Sequence, residues 1–260
     1  VAMAGARPVA LSAAVIIEEG FALADLDRIA ASMGAAARAA GVPIATGDTK
    51  VVERGHGAGL FITTTGIGVV PEGVHIAPEH IAPGMAILLS GTLGDHGVAI
   101  LSRRQGLEFG TTIRSDSAAL HRMVADMVAA VPGIAVLRDP TRGGLSATLN
   151  ELAEAAGVTM TLKEAALPVR PEVAGACEML GLDPLHIANE GKLVCICAQE
   201  EAEALLAIIR SHPEGVDAAR VGTVGDRAAP GTPGLLRMET LIGGMRVVDW
   251  LAGEPLPRIC

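Results

Sequence analysis

Three aspartates stand where the chain leaves an apolar run: Asp48 in TGDTKVV, Asp95 in SGTLGDHG and Asp139 in LRDPTRGGL. Ligands of α/β proteins collect at such strand-to-turn corners. Carboxylates there suit Mg²⁺, which prefers oxygen ligands and shares its coordination shell with phosphates. An aspartate beside Gly or Pro is also ordinary turn chemistry, so the hypothesis of a phosphate site rests on the three together.

A lysine accompanies the first of these aspartates. Lys50 lies two residues after Asp48, so on an extended turn both side chains would face the same side. A lysine among carboxylates can neutralise a transferring phosphoryl group; the alternative is a surface salt bridge of minor energy. Neither common nucleotide motif is present, because GxxxxGK(S/T) is missing and GIGVV lacks the third glycine of a Rossmann turn.

Two further polar segments offer groups for catalysis or binding. In DPTRGGL, Asp139 or Thr141 is predicted to cap a helix, while Gly143 and Gly144 would let a phosphate approach its N-terminal N–H groups. In HIANEGKLVC, Glu190 precedes a predicted strand in a polar corner. It could act as a base, but spacing alone favours a turn residue.

The four cysteines divide into three inert thiols and one distinctive one. Cys195 and Cys197 resemble a metal-binding C-x-C pair, yet LVCICA places both on one strand face among aliphatic residues, which favours buried, inert thiols. Cys177, in a predicted helix, has the same interpretation. Cys260 is the last residue of the sequence, and the prolines of EPLPRIC favour an extended tail. That tail is long enough to carry the thiol to a neighbouring site or partner, and a frayed terminus with an incidental cysteine is the alternative; the residues alone leave both open.

Composition narrows the class of protein. Of 260 residues, 50% are hydrophobic and only 2% are aromatic, which suits aliphatic helices packed on sheets. The scarcity of stacking side chains and the net charge of −9 argue against nucleic-acid binding. No apolar run reaches the roughly 20 residues of a membrane span. Four cysteines are no disulfide framework, so a cytoplasmic location is expected.

Hydrophobic periodicity predicts two α/β domains, over residues 1–70 and 84–250, joined by a linker at 71–83 and followed by a flexible tail at 251–260. In the first domain we predict a strand over Pro8–Glu19, a helix through ALADLDRIAASMGAAARAAG, a turn at ATGDTKVVERG and a strand at LFITTTGIGVV. Gly41 is the predicted C-cap of the helix.

The second domain is predicted to repeat this alternation of strands and helices. The predicted strands are MAILLSG, GIAVLRD, TMTL and LVCICA, and the predicted helices are SDSAALHRMVADMVAAV, GGLSATLNELAEAAG and EEAEALLAIIRSH. A polar turn is expected after the first strand. LLRMETLIGGMRVVDWL is predicted to form a hairpin with a Gly-Gly turn.

Several segments together resemble the HypE family of hydrogenase maturation proteins: AMAGARP, TGDTKV, LSGTLGDHG, RDPTRGGL, ANEGKL and PRIC. They follow the family's order and span essentially the whole chain. The terminal PRIC is the most specific, because it is absent from the wider PurM-like superfamily of aminoimidazole ribotide synthetase, selenophosphate synthetase and thiamine monophosphate kinase. The resemblance implies a two-domain PurM-like fold that forms a homodimer through its N-terminal domain, with ATP beside the shared sheet.

The resemblance also implies an activity. A carbamoyltransferase, HypF, would load a carbamoyl group onto the sulfur of Cys260. The protein would then use ATP to dehydrate this thiocarboxamide to a thiocyanate, whose cyano group passes to iron on a HypC–HypD scaffold. The tail would swing between the ATP and the partners. Family members begin with a further glycine-rich, aspartate-containing segment that helps to bind ATP, so we expect weakened ATP binding in this form of the chain.

Roles for individual residues follow from the same resemblance. Lys50 and Mg²⁺ would stabilise the transferring phosphoryl group, Glu190 would remove the amide proton, and His96 would assist from nearby. The implied Mg²⁺ ligands are Asp48 and Asp139, and the implied nucleotide contacts are Asp48, Thr49, Asp95, Thr141, Gly143, Gly144 and Asn189.

Two other functions are consistent with the sequence. One is a different PurM-like enzyme that activates a small amide substrate with ATP; it would have no use for the thiol of Cys260. The other is a non-catalytic module that docks partners through its tail. For that module, Lys50→Ala would leave partner assembly unchanged.

Overall fold

The computed structural model describes residues 1–107 and 113–250, which form two compact units. Unit 1 consists of Val1–Ala2 and Ala6–Glu72, and unit 2 consists of Met3–Gly5 and the chain from Gly73 onward. Among the described residues, no helix combines the length and apolarity that crossing a membrane would demand.

Unit 1 is a three-stranded sheet with one helix. Its elements are β1 (Arg7–Glu18), α1 (Leu23–Ala40), β2 (Ile44–Val52) and β3 (Leu60–Val69). The strand order is β2-β1-β3, with β2 parallel and β3 antiparallel to β1. The parallel pair requires a crossover, and α1 provides it. The helix ends at the predicted C-cap Gly41, whose φ of 71° is the left-handed conformation that glycine favours.

The predicted turn at ATGDTKVVERG is wrong, because most of it lies in β2. Asp48 pairs with Ala14 and Lys50 with Ile16 along β1, so both lie mid-strand rather than at a strand end. The β-branched residues of TKVV suit a strand, and the ladder to β1 outweighs the turn preference of the Gly-Asp pair. Asp48 and Lys50 still share one face, since side chains alternate along a strand.

Unit 2 contains a seven-stranded sheet in the order β10-β9-β6-β8-β4-β7-β5. Its strands are β4 (Ala86–Leu89), β5 (Val136–Arg138), β6 (Val158–Lys163), β7 (Val194–Cys197), β8 (Ala219–Arg227), β9 (Leu235–Glu239) and β10 (Met245–Val247). Its helices are α2 (Asp95–Gln105), α3 (His121–Ala130), α4 (Gly144–Ala156), α5 (Pro171–Leu180) and α6 (Ala202–Arg210). Strands β6 and β9 pair in parallel, and the other described neighbours in this sheet are antiparallel.

The sequence prediction for unit 2 is confirmed for most elements and wrong at three. The hairpin of β9 and β10 and the helices α4 and α6 form as predicted. Helix α2 occupies the segment predicted as a polar turn, and β8 was missed. The helix predicted from SDSAALH begins only at His121.

The three described cysteines are free and buried, as predicted. Cys195 and Cys197 are completely buried on β7, and Cys177 is buried on α5. Burial raises the pKa of the Cys177 thiol to about 11, so it stays protonated at neutral pH. Cys177 therefore lacks the thiolate character of a reactive cysteine.

Leu149 offers a direct test of how α4 packs on the sheet. It is completely buried in the main core cluster, beside Leu145 and Leu152 of the same helix. Leu149→Ala should lower the free energy of unfolding by about 2–5 kcal/mol, because it leaves a cavity. Met179→Ala, at a position 71% exposed, should change it by less than about 0.5 kcal/mol. Urea unfolding measures both, and equal losses would contradict this packing.

Candidate active site

The register of three strands brings the polar motifs of the sequence to one edge of the sheet. β7 lies between β4 and β5 and is antiparallel to both. Its first residue, Val194, pairs with Leu89 at the end of β4 and with Arg138 at the end of β5. SGTLGDHG and DPTRGG therefore leave the sheet where ANEGKL enters it.

Asn189 joins these three segments. Its side chain is completely buried. The amide group donates to the carbonyls of Pro140 and Ile187, both at 3.0 Å, and its oxygen accepts the N–H of Gly94 at 2.9 Å. Both amide hydrogens and the oxygen are thus engaged by backbone groups, so this side chain holds the loops rather than reaching out of them.

Asp95 opens α2 directly after Gly94 and is buried. Thr92 donates its hydroxyl to one carboxylate oxygen, and Arg170 lies 3.6 Å from the other. Burial raises the pKa of Asp95, and the hydrogen bond from Thr92 and the charge of Arg170 partly offset this. The carboxylate therefore anchors its own loop.

The start of α4 differs from the prediction. Its N-cap is Gly143 and carries no side-chain cap, so neither Asp139 nor Thr141 caps this helix. A Cβ at Gly144 would lie 2.5 Å from the carbonyl oxygen of Leu185, and the residue has a φ of 63°. The close approach of the protein's own backbone therefore requires glycine here, independently of any ligand.

His96 occupies the first turn of α2 and is buried. Its Nδ1 lies 2.8 Å from the hydroxyl oxygen of Ser115, which also accepts the N–H of Ser117 at 3.1 Å. Its Nε2 is buried without a hydrogen-bond partner among the described residues. A buried ring nitrogen of this kind is suited to meet a ligand.

Glu190 stands just before β7 and is held by its backbone. Its N–H donates to Oδ1 of Asp116 at 3.0 Å. Oδ2 of Asp116 lies 4.0 Å from Nζ of Lys192, with the two side chains 3% and 9% exposed. Sequence reasoning missed Asp116 and Lys192, although Lys192 belongs to the ANEGKL motif. The available signal was the position of Lys192, which lies two residues after the candidate base Glu190 and just before a buried strand.

The carboxylate of Glu190 is electrostatically unusual. Its Oε1 is buried and has no hydrogen-bond partner in the described part of the chain. Burial raises the pKa of Glu190; His96 and Arg142 lower it, while Asp116 and Asp139 raise it further. A carboxylate that is costly to ionise is a stronger base once ionised.

The remaining candidates belong to different units. In unit 2, Asp139 is exposed just beyond β5, and Thr141 follows it. In unit 1, Asp48, Thr49 and Lys50 are exposed on β2, where the N–H of Thr49 donates to Oδ1 of Asp48 at 2.9 Å. Cys260 lies outside the described residues. Among those described, no three His, Cys, Asp or Glu side chains converge as a metal cluster.

Comparison with known proteins defines the class. The family models of AIR synthase related proteins match both parts of the chain, the N-terminal domain over residues 1–70 and the C-terminal domain over residues 82–231. The carbamoyl dehydratase HypE of Cupriavidus necator is 64% identical over 260 residues, covering 100% of this chain and 73% of that protein.

Solved structures agree. A crystal structure of hydrogenase maturation protein HypE in complex with ATP has a TM-score of 0.94 and 50% identity, covering 100% of this chain and 78% of that one. A HypE–HypF complex gives a TM-score of 0.91 at 45% identity, covering 96% and 80%. The chain belongs to the HypE family of AIR synthase related proteins. The sequence resemblance and the predicted PurM-like α/β fold are thereby confirmed.

Gly191 tests the contact that holds Glu190. A Cβ there would collide with the carbonyl of Asp116, whereas Gly175 on α5 has open space around it. Gly191→Ala should displace the 115–118 segment and speed hydrogen exchange of the Glu190 amide at least about tenfold. Gly175→Ala should leave that exchange rate unchanged and stabilise the protein slightly, by about 0.5–1 kcal/mol. Similar exchange rates in both variants would contradict the contact.

The raised pKa of Glu190 has a consequence for stability. The folded protein holds this proton more tightly than the unfolded chain, whose glutamate pKa is about 4.3. Stability is therefore lost as the pH rises through the range between the unfolded and folded pKa values. Glu190→Gln should be more stable than the wild type near neutral pH, and the difference should vanish at about pH 4 and below.

Urea unfolding at several pH values measures this difference. Glu178→Gln, an exposed glutamate on α5, controls for the chemical change itself. A wild type that is the more stable protein near neutral pH would contradict the prediction, because its neighbours would then stabilise ionised Glu190 by more than burial destabilises it.

Proposed function

We propose that this chain catalyses the ATP-dependent dehydration of a carbamoyl group carried on the sulfur of Cys260, in the maturation of hydrogenase. The product would be a thiocyanate that supplies a cyanide ligand to iron. Support comes from the relatives, which include a carbamoyl dehydratase HypE at 64% identity over the whole chain. The buried, unpartnered Oε1 of Glu190 is the structural observation that carries the proposal.

The reaction balances as a phosphorylation followed by an elimination. The amide oxygen of the thiocarboxamide attacks the γ-phosphorus of ATP, and ADP leaves. The C–O bond then breaks, phosphate departs with the oxygen, and both N–H protons are lost as the C≡N bond forms. Water is thus removed as phosphate, because a phosphorylated oxygen is a good leaving group whereas an amide oxygen is not.

Glu190 fits the role of the base in this sequence. Its carboxylate oxygen has no competing hydrogen-bond donor among the described residues, and burial raises its pKa toward neutrality, where general bases work best. The unpartnered Nε2 of His96 is a second polar atom of unit 2 that can contact the carbamoyl or phosphoryl group.

The residues proposed to contact ATP are those that the family resemblance implies. We assign contacts to Asp48, Thr49 and Lys50 in unit 1, and to the loops of Asp95 and of Thr141–Gly144 in unit 2. Asn189 would act through the loops that it joins, since its amide is fully engaged.

Mg²⁺ fits this donor set. The ion often takes one or two protein carboxylates and completes its shell with phosphates and water. Asp48 and Asp139, both exposed, would be its ligands. When bound, Mg²⁺ neutralises phosphate charge in phosphoryl transfer.

The partners proposed are HypF, which a related HypE binds in a solved complex, and a HypC–HypD scaffold that receives the cyano group. A homodimer would form through unit 1, whose strands expose apolar side chains, among them Phe61, Ile67 and Val69. The domain limits 1–70 and 84–250 and a cytoplasmic location are part of this proposal.

Mass spectrometry of the C-terminal peptide tests the function. Full-length protein is incubated with HypF, carbamoyl phosphate and ATP. The peptide should gain one cyano group in place of a hydrogen, and Cys260→Ala should abolish the gain. A peptide that stays at the carbamoyl mass would overturn the dehydratase activity, and an unmodified Cys260 with active HypF would overturn the carrier role as well.

The base is tested by Glu190→Gln in the same assay. The variant should accumulate the carbamoylated peptide and form thiocyanate at least about a hundredfold more slowly, which is the usual contribution of a general base. Glu178→Gln should react like the wild type. Normal thiocyanate formation by Glu190→Gln would exclude the carboxylate as the base.

A further inference from the structure

The segment Ser115–Asp116 contacts both candidate catalytic residues of unit 2. Its side chains meet the imidazole of His96 on α2 and the backbone of Glu190 before β7. We propose that Ser115 and Asp116 are positioning residues, which fix His96 and Glu190 for the dehydration; the inference rests on the proposed function. We call Ser115 and Asp116 the polar clasp.

Ser115 orients the imidazole ring. Its hydroxyl oxygen lies 2.8 Å from Nδ1 of His96 and is itself fixed by the N–H of Ser117. Holding Nδ1 in this way fixes the plane of the ring. The other ring nitrogen, Nε2, is thereby presented in one direction, and it has no partner among the described residues.

Asp116 fixes the main chain of the base. Its Oδ1 accepts the N–H of Glu190 at 3.0 Å, while its own carbonyl packs against Gly191. Glu190 is thus held at its backbone on both sides, which leaves its Oε1 free of any hydrogen bond to the described residues. A backbone anchor suits a base, because a side-chain anchor would occupy the oxygen that must accept the proton.

Lys192 keeps the carboxylate of Asp116 in place. The two charges lie 4.0 Å apart and are almost completely buried. Oδ2 of Asp116 makes no hydrogen bond within the described part of the chain, so the lysine is its electrostatic partner. The lysine stem runs along Gly91, where a Cβ would lie 3.1 Å from it. A buried carboxylate needs such a partner, and removing the partner alone leaves a costly unpaired charge.

The aspartate half is tested with Asp116→Ala and Asp116→Asn. Asparagine keeps an acceptor for the Glu190 N–H, and alanine does not. Asp116→Ala should speed exchange of the Glu190 amide about tenfold and lower kcat for thiocyanate formation about tenfold, with KM for ATP changed less than about threefold. Asp116→Asn should retain most of both. The double variant Asp116→Ala, Lys192→Met removes both charges, so it tests the hydrogen bond even if the single variant folds poorly.

The serine half is tested with Ser115→Ala, Ser115→Thr and the neighbouring control Ser117→Ala, which keeps the backbone N–H. Nitrogen NMR of the His96 ring should show a shifted Nδ1 resonance in Ser115→Ala only, because the hydrogen bond at that atom is lost. Threonine retains the hydroxyl and should behave like the wild type. An unchanged Nδ1 resonance in Ser115→Ala would overturn the role of the serine.

The outcomes separate this inference from the proposed function. Exchange and ring spectra are recorded on resting protein and need no turnover. Wild-type turnover with unchanged exchange and unchanged kcat in both alanine variants at Asp116 would overturn the clasp alone. With Lys192→Met present in both, so that no buried lysine is left unpaired, equal loss in Asp116→Asn and Asp116→Ala would overturn it too, since the hydrogen bond would then not be the cause. Absence of wild-type turnover with active HypF would instead overturn the proposed function.

Discussion

The arrangement of the site in unit 2 depends on the buried amide of Asn189. Three loops leave or enter the sheet at the same end of its strands. Without a shared contact, each loop could adopt its own conformation. Asn189 satisfies the N–H of Gly94 and the carbonyls of Pro140 and Ile187 at once. Buried polar groups of this kind are costly unless fully paired, and when fully paired they specify one geometry.

Among the carboxylates near Asn189, the requirements of stability and of catalysis differ. Glu190 keeps a buried oxygen without a partner among the described residues, which a purely structural residue would avoid because an unsatisfied buried group costs stability. The neighbouring carboxylates face cations: Asp95 accepts the hydroxyl of Thr92 and faces Arg170, and Asp116, whose Oδ2 also makes no hydrogen bond among the described residues, faces Lys192. A buried carboxylate oxygen without a partner, as in Glu190, is typical of a functional site.

The sequence predicted the strongly periodic elements and the motifs, and it failed where tertiary contacts decide. Helix α1 ends at Gly41 as predicted, because capping chemistry is local. Strand β2 was missed because its Gly-Asp pair favours a turn until the ladder to β1 forms. Residue types marked Asp95 and Glu190 as candidates, and the family resemblance marked His96, but Ser115 and Asp116 carry no local signal. Their importance arises only when a distant segment packs against Gly191.

The glycines at 144 and 191 are fitted to backbone from other segments, at Leu185 and at Asp116. Each loop of the site is therefore shaped to its neighbours as much as to a ligand. A chimera that exchanges one of these loops with a distant relative would join surfaces that have not been matched to each other. The exchangeable unit is the whole set of SGTLGDHG, DPTRGGL and ANEGKL with the 115–118 segment. A protein in which one of these segments alone is replaced should pack poorly at this site, whichever catalytic residues it carries.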